Sequence, residues 1–123
     1  MGAKELNLLL LKKFPELNDK FIKETEWQEG IETGSIIVFE DVFFKYLKKN
    51  LHNDSVKKRI FDFLNELLTT NDEYIINTIE TAVFENLITI RNRELFERYL
   101  TSKMKERLNE IGKQMFSNFK TFC

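Results

Sequence analysis

NDSVKKRIFDFLNELLTT, residues 53–70, decides the fold. Its apolar residues Val56, Ile60, Phe61, Phe63, Leu64, Leu67 and Leu68 return at every third or fourth position, so they line one face of a helix. Asn53 or Asp54 can cap its start. The polar corner Thr69, Thr70, Asn71 separates it from a second segment, whose Asp72 and Glu73 suit a helix N-terminus. That segment runs to about Thr89 and buries Ile75 or Ile76, Ile79, Val83 and Leu87. So short a connection between two such helices predicts an antiparallel helical hairpin.

Working outward, residues 36–51 carry Phe39, Val42, Phe43, Tyr46, Leu47 and Leu51 at helical spacing behind a possible Ser35 cap. The β-branched opening Ile36, Ile37, Val38 also suits a short extended piece. Pro15 fits a first helical turn and predicts a helix from Pro15 to about Gln28, after a shorter one ending near Phe14. Downstream, Asn92 caps a short helix over Arg93–Leu100. A last helix from Ser102 repeats Met104, Leu108, Ile111, Met115 and Phe119. The four glycines and one proline fall before residue 35 except for Gly112, so the later two thirds read as nearly continuous helix. The expectation is an all-α fold: six or seven helices in an irregular bundle of antiparallel hairpins, or an α-solenoid-like stack, although no internal repeat is visible.

A chain of 123 residues is long enough for one core and too short for two, so residues 1–123 form one expected domain. Twelve Phe make aromatic rings the main packing material, since each buried ring removes roughly 150 to 250 Å² from water. No apolar run is longer than the four residues of Leu8 to Leu11, far short of the roughly 20 residues that cross a bilayer, and no secretory signal is apparent. A cytoplasmic protein without membrane attachment is expected.

The inventory excludes most catalytic chemistry. Cys123 has no partner for a disulfide or a paired-thiolate metal site, and His52 has no second imidazole. His52 follows Lys48 and Lys49 at a helix end, where a solvated imidazole is favoured by the helix dipole. There is no glycine-rich phosphate loop, and helical di-metal sites use a Glu-x-x-His pairing that is missing here. No cofactor and no metal is expected, and no enzymatic activity.

Charge is more informative by position than in total. Residues 15–42 hold eight acids against Lys20 and Lys23, net −6, whereas residues 43–60 hold six bases against Asp54, net +5. Residues 61–90 hold six acids and no base, and residues 91–123 hold eight bases and four acids, net +4. Neighbouring helices of opposite sign can pair across their edges. An acidic face can also steer a basic partner. Nucleic acid is disfavoured, because no basic segment carries interleaved aromatics or a reading motif. Glu24, Glu26, Glu29 and Glu32 surround the only Trp, Trp27, in a stretch bounded by Gly30 and Gly34. Trp is a packing residue when buried and a frequent binding anchor when exposed.

The order Val38, Phe39, Glu40, Asp41, Val42, then Lys58 to Leu67, then Ala82 to Leu87 resembles a family of uncharacterised small all-helical bacterial domains. Phe14, Pro15, Glu16, Leu17 fits the same family's start. Such domains resemble the immunity proteins of polymorphic toxin systems. The resemblance implies a non-catalytic protein-binding domain, an immunity or antitoxin-type inhibitor that occludes a basic toxin domain. Its acidic face would comprise Glu24, Glu26, Trp27, Glu29 and Glu32, helped by Asp62, Glu66, Glu80 and Glu85. The alternative expectation is a homo-oligomeric structural or regulatory scaffold that associates through surplus aromatic positions Phe43, Phe44, Phe116, Phe119 and Phe122.

Overall fold

The computed structural model describes residues 1–123 and contains helices and no strand. Helix α1 spans Ala3–Lys13 and stops at Phe14, because Pro15 disfavours a helical conformation in the residue before it. Pro15–Leu17 forms a 3₁₀ turn that leads directly into α2, Asn18–Thr25. A further 3₁₀ turn, Gly30–Glu32, precedes α3 over residues 35–49. Helix α4, Asp54–Leu68, starts where the Asn53 side chain accepts the Val56 N–H. Helix α5 over residues 73–87 starts where Asp72 accepts the Ile75 N–H. Two 3₁₀ turns, Arg93–Leu95 and Glu97–Tyr99, lead to α6, Ser102–Met115, which the Thr101 hydroxyl caps at Met104.

These six helices agree with the expected class. On α4, Ile60, Phe61, Phe63, Leu64, Leu67 and Leu68 are all buried. They join a continuous apolar cluster that reaches from Leu6 to Phe122. Ile75 rather than Ile76 is the buried member of its pair. The α4–α5 corner turns through Asn71, one of the few residue types that tolerate its positive φ of 57°.

Four boundaries differ from the reading of the sequence. Ile36–Val38 is helical, because Val38 and Phe39 must pack inward together with the rest of α3. Helix α2 ends at Thr25, not near Gln28, where the Thr25 hydroxyl bonds back to the Phe21 carbonyl. Arg93–Leu100 is two 3₁₀ turns. Asn92 makes no side-chain cap there, and Leu100 is extended. Helix α6 ends at Met115, which is exposed, and Phe119 lies in the tail that folds back on the helix. The Phe119 ring rests where Gly112 leaves room: a Cβ on Gly112 would sit 2.4 Å from it. Asn109 clamps the same tail by accepting the Phe122 N–H at 2.7 Å and donating to its carbonyl at 3.0 Å.

Helices α3 and α5 each contain a π-helical turn, Phe39–Phe44 and Ile79–Phe84, and the two turns pack against each other. The buried positions Val38, Phe39, Val42, Phe43, Phe44 and Leu47 recur at an offset of 40 as Thr78, Ile79, Ala82, Val83, Phe84 and Leu87. At about 100° per residue, three consecutive side chains of an α-helix cannot share one face. The wider i→i+5 turn keeps Val42–Phe44 and Ala82–Phe84 inside. Between residues 36–47 and 76–87 the only identities at this offset are Ile36/Ile76, Glu40/Glu80, Phe44/Phe84 and Leu47/Leu87. A structural repetition therefore exists where the sequence shows none.

Candidate functional site

The turn between α2 and α3 carries the residues singled out around Trp27. Its base is fixed: Gln28 N–H donates to the Thr25 carbonyl, Gly30 takes a positive φ of 58°, and Glu29 N–H donates to the buried Thr33 hydroxyl. Asn7 on α1, fully buried, donates to the carbonyls of Ile31 at 3.0 Å and Thr33 at 2.7 Å. Its side-chain oxygen accepts the Ser35 hydroxyl at 2.9 Å, and Ser35 N–H donates to the Tyr74 hydroxyl. Above this base Trp27 is 88% exposed. Beside it runs a shallow groove with Leu11, Phe21, Ile22 and Ile31 as its apolar walls and Glu26 at its edge, and Ile22 is 56% exposed. A rigid loop thus presents an indole and an apolar groove to solvent among carboxylates.

The nine expected interface residues divide into two groups. Glu26, Glu29 and Glu32 are exposed and form no ion pair, while Glu24 bonds to Lys20 one turn earlier on α2 at 2.9 Å. The residues of α4 and α5 have other neighbours. Asp62 pairs with Lys58, Glu66 with Lys13 of α1, and Glu80 with Arg107 of α6. Glu85 is half-buried and makes no ion pair. Part of the alternating charge is therefore spent between helices. No three of the carboxylates, His52 or Cys123 converge closely enough to hold a metal ion. His52 is exposed in the turn after α3.

The aromatic positions expected to be surplus are mostly core. Phe43, Phe44 and Phe122 are buried, and Phe119 is half-buried against Gly112. Phe116 alone is exposed. They were misread because helical spacing cannot register a π turn or a tail that folds back.

Two buried polar groups and one exposed carboxylate tie escaped the sequence reading. Asn7 is one. Lys57, one of the six bases of residues 43–60, is 4% exposed. Its ammonium donates to the Leu95 carbonyl at 2.7 Å, contacts Asp54 at 3.3 Å and lies 5.2 Å from the Tyr99 ring centre. It straps residues 93–99 to α4 where Phe61 stacks on Phe96 and Tyr99. Glu16 is the third: it accepts Arg59 Nη1 at 2.8 Å and the Tyr46 hydroxyl at 2.6 Å.

The Arg59 guanidinium holds the Glu16 carboxyl far below its usual 4.5, at about 2. A carboxyl depressed in this way stabilises the folded chain above its unfolded value and loses that contribution as pH falls through the folded one. Glu16→Gln should therefore melt lower than the wild type at neutral pH. The gap should close between pH 4.5 and about 2. Thermal melts across that window test it, and a gap independent of pH would remove Glu16 as an acid-sensitive tie.

A family model for a domain of unknown function, DUF7674, matches residues 7–117. The chain belongs to the DUF7674 family. The matched region of this DUF7674 domain contains Asn7, the Trp27 loop and both π turns, whereas the tail anchors Phe119 and Phe122 lie beyond it. No curated protein and no solved structure matches the chain. No helix is long and apolar enough to cross a membrane.

Proposed function

We propose that this DUF7674 domain is a non-catalytic cytoplasmic protein-binding module of the immunity or antitoxin type, which occludes a basic partner through the face around Trp27. The observation that carries the reading is an indole 88% exposed on a loop whose base is pinned by buried hydrogen bonds. Leaving a large apolar ring in water has no benefit for folding, and Trp is among the residues most enriched at interface hot spots. The unpaired Glu26, Glu29 and Glu32 supply a field that attracts a cationic surface, such as the groove of a nuclease toxin. A loop already ordered before contact keeps the entropy cost of binding low.

The test is surface-based kinetics at two ionic strengths against a basic nuclease-toxin domain, taken from a neighbouring gene where one encodes it. Trp27→Ala should weaken the complex by about 2 kcal/mol or more. Its own stability should change by no more than about 0.5 kcal/mol, as for other solvated positions. Reversing Glu26 and Glu29 to Lys should slow association and flatten its salt dependence. Unchanged kinetics in both variants would move the contact away from this face.

A further inference from the structure

On the other side of α2 from the Trp27 groove lies a cleft of opposite character, between α2 and α3. Its floor is apolar: Leu17 and Val42 are buried, and the Tyr46 ring forms a wall. Its rim carries Lys20 from α2 and Lys45 and Lys49 from successive turns of α3. Glu16 is the one carboxylate lining it, and Arg59 and the Tyr46 hydroxyl already satisfy that group. Lys20 is matched by Glu24. Lys45 and Lys49 form no ion pair, and Glu24, which Lys45 reaches only at longer range, is already held by Lys20, so positive charge is in excess above the apolar floor. The cleft measures about 300 Å³, at the small end of ligand sites.

We propose that this cleft binds a small amphipathic anion, an aromatic or aliphatic body seated on Leu17, Val42 and Tyr46 with one carboxylate or similar anionic head between Lys45 and Lys49. The two parts of the site are complementary to the two parts of such a ligand. Burying the body removes apolar area from water, and the head receives charge-assisted hydrogen bonds from ammonium groups that form no ion pair of their own. A plain inorganic anion would leave the floor uncovered. A neutral apolar molecule would leave the lysines without a counter-charge.

Naphthalene-1-carboxylate is a suitable probe, with naphthalene-1-carboxamide and inorganic phosphate as the two half-ligands. Titrating each into the full-length protein to about 5 mM, enough to detect millimolar binding, should give saturable amide shifts for the carboxylate alone, centred on residues 17–20 and 42–49. Lys45→Ala with Lys49→Ala should weaken it about tenfold or more. Lys48→Ala also removes a positive charge from α3, at a position that does not line the cleft, and should change affinity by less than about twofold. Melting temperatures of all variants, whose substituted side chains are exposed, establish that each is folded. Shifts scattered over the surface, equal binding of either half-ligand, or equal losses from Lys48→Ala and the double variant would overturn the site, and so would no saturable response. None of these outcomes bears on the Trp27 face, which the partner kinetics test separately.

Discussion

Phe63→Ala is expected to lower the unfolding free energy by about 3 to 5 kcal/mol, the range for an aromatic ring removed from a packed core. Phe63 is 1% exposed and stands where α1, α3 and α4 meet. The edge-to-face partners of its ring are Phe14, at 5.4 Å between centroids, and Phe43, at 5.9 Å, and those two rings also contact each other at 5.7 Å. The loss therefore combines the transfer term, two aromatic contacts of about 0.5 to 1.5 kcal/mol each, and a void that three separate helices cannot close without moving. Leu64→Ala, also fully buried but outside this triangle, should fall within about 2 to 5 kcal/mol. Urea denaturation of both variants at constant m-value decides the matter. A change below about 1 kcal/mol for Phe63→Ala, the size of a surface effect, would mean that the triangle is not the centre of the core.

The ease with which α4 was read and the difficulty of its neighbours have the same physical origin. On α4 every inward residue but Lys57 is apolar and the spacing is strictly α-helical, so periodicity alone identified the buried face of Ile60, Phe61, Phe63, Leu64, Leu67 and Leu68. In α3 and α5 the helix widens, and three adjacent inward residues give a pattern that no 3.6-residue template reports. Residues 93–100 show apolar spacing compatible with a helix. Their geometry is set instead by partners distant in sequence: Lys57 holding the Leu95 carbonyl, Phe61 stacking on Phe96 and Tyr99, and Arg93 over the rings of Phe119 and Phe122. No local signal contains that information.

The candidate interface divides along the same line. The concentration of Glu24, Glu26, Glu29 and Glu32 around Trp27 was legible as a composition anomaly. Whether the indole faced inward or outward was not, because a lone Trp suits either environment. Its orientation follows from Asn7 and Thr33, two polar side chains that read as unremarkable and that tie down the loop from within. The lysine cleft was equally hidden, since it needs Lys20 and Lys45 to approach from two helices.

Asn7 supplies the second large effect. Asn7→Ala removes both donors to the Ile31 and Thr33 carbonyls and the acceptor of the Ser35 hydroxyl, all in or near the core. Each buried group left without a partner costs about 1 to 3 kcal/mol, so a loss of about 3 kcal/mol or more is expected. Amide exchange at residues 28–35 should accelerate more than exchange in α4, because the loop loses its base before the core opens. Asn7→Asp separates the hydrogen bonds from the cavity. The new carboxyl would face two carbonyl oxygens in a buried site, which raises its pKa above the unfolded value of about 3.9. A raised carboxyl favours the fold below the unfolded value and loses that advantage as pH rises through the folded one, so this variant should be closest to wild type near pH 4 and progressively weaker toward neutrality. The same loosening should slow association at the Trp27 face, because the indole would have to be ordered on contact. Wild-type stability and exchange in Asn7→Ala, or a pH-independent deficit in Asn7→Asp, would show that the loop is held by something other than this network.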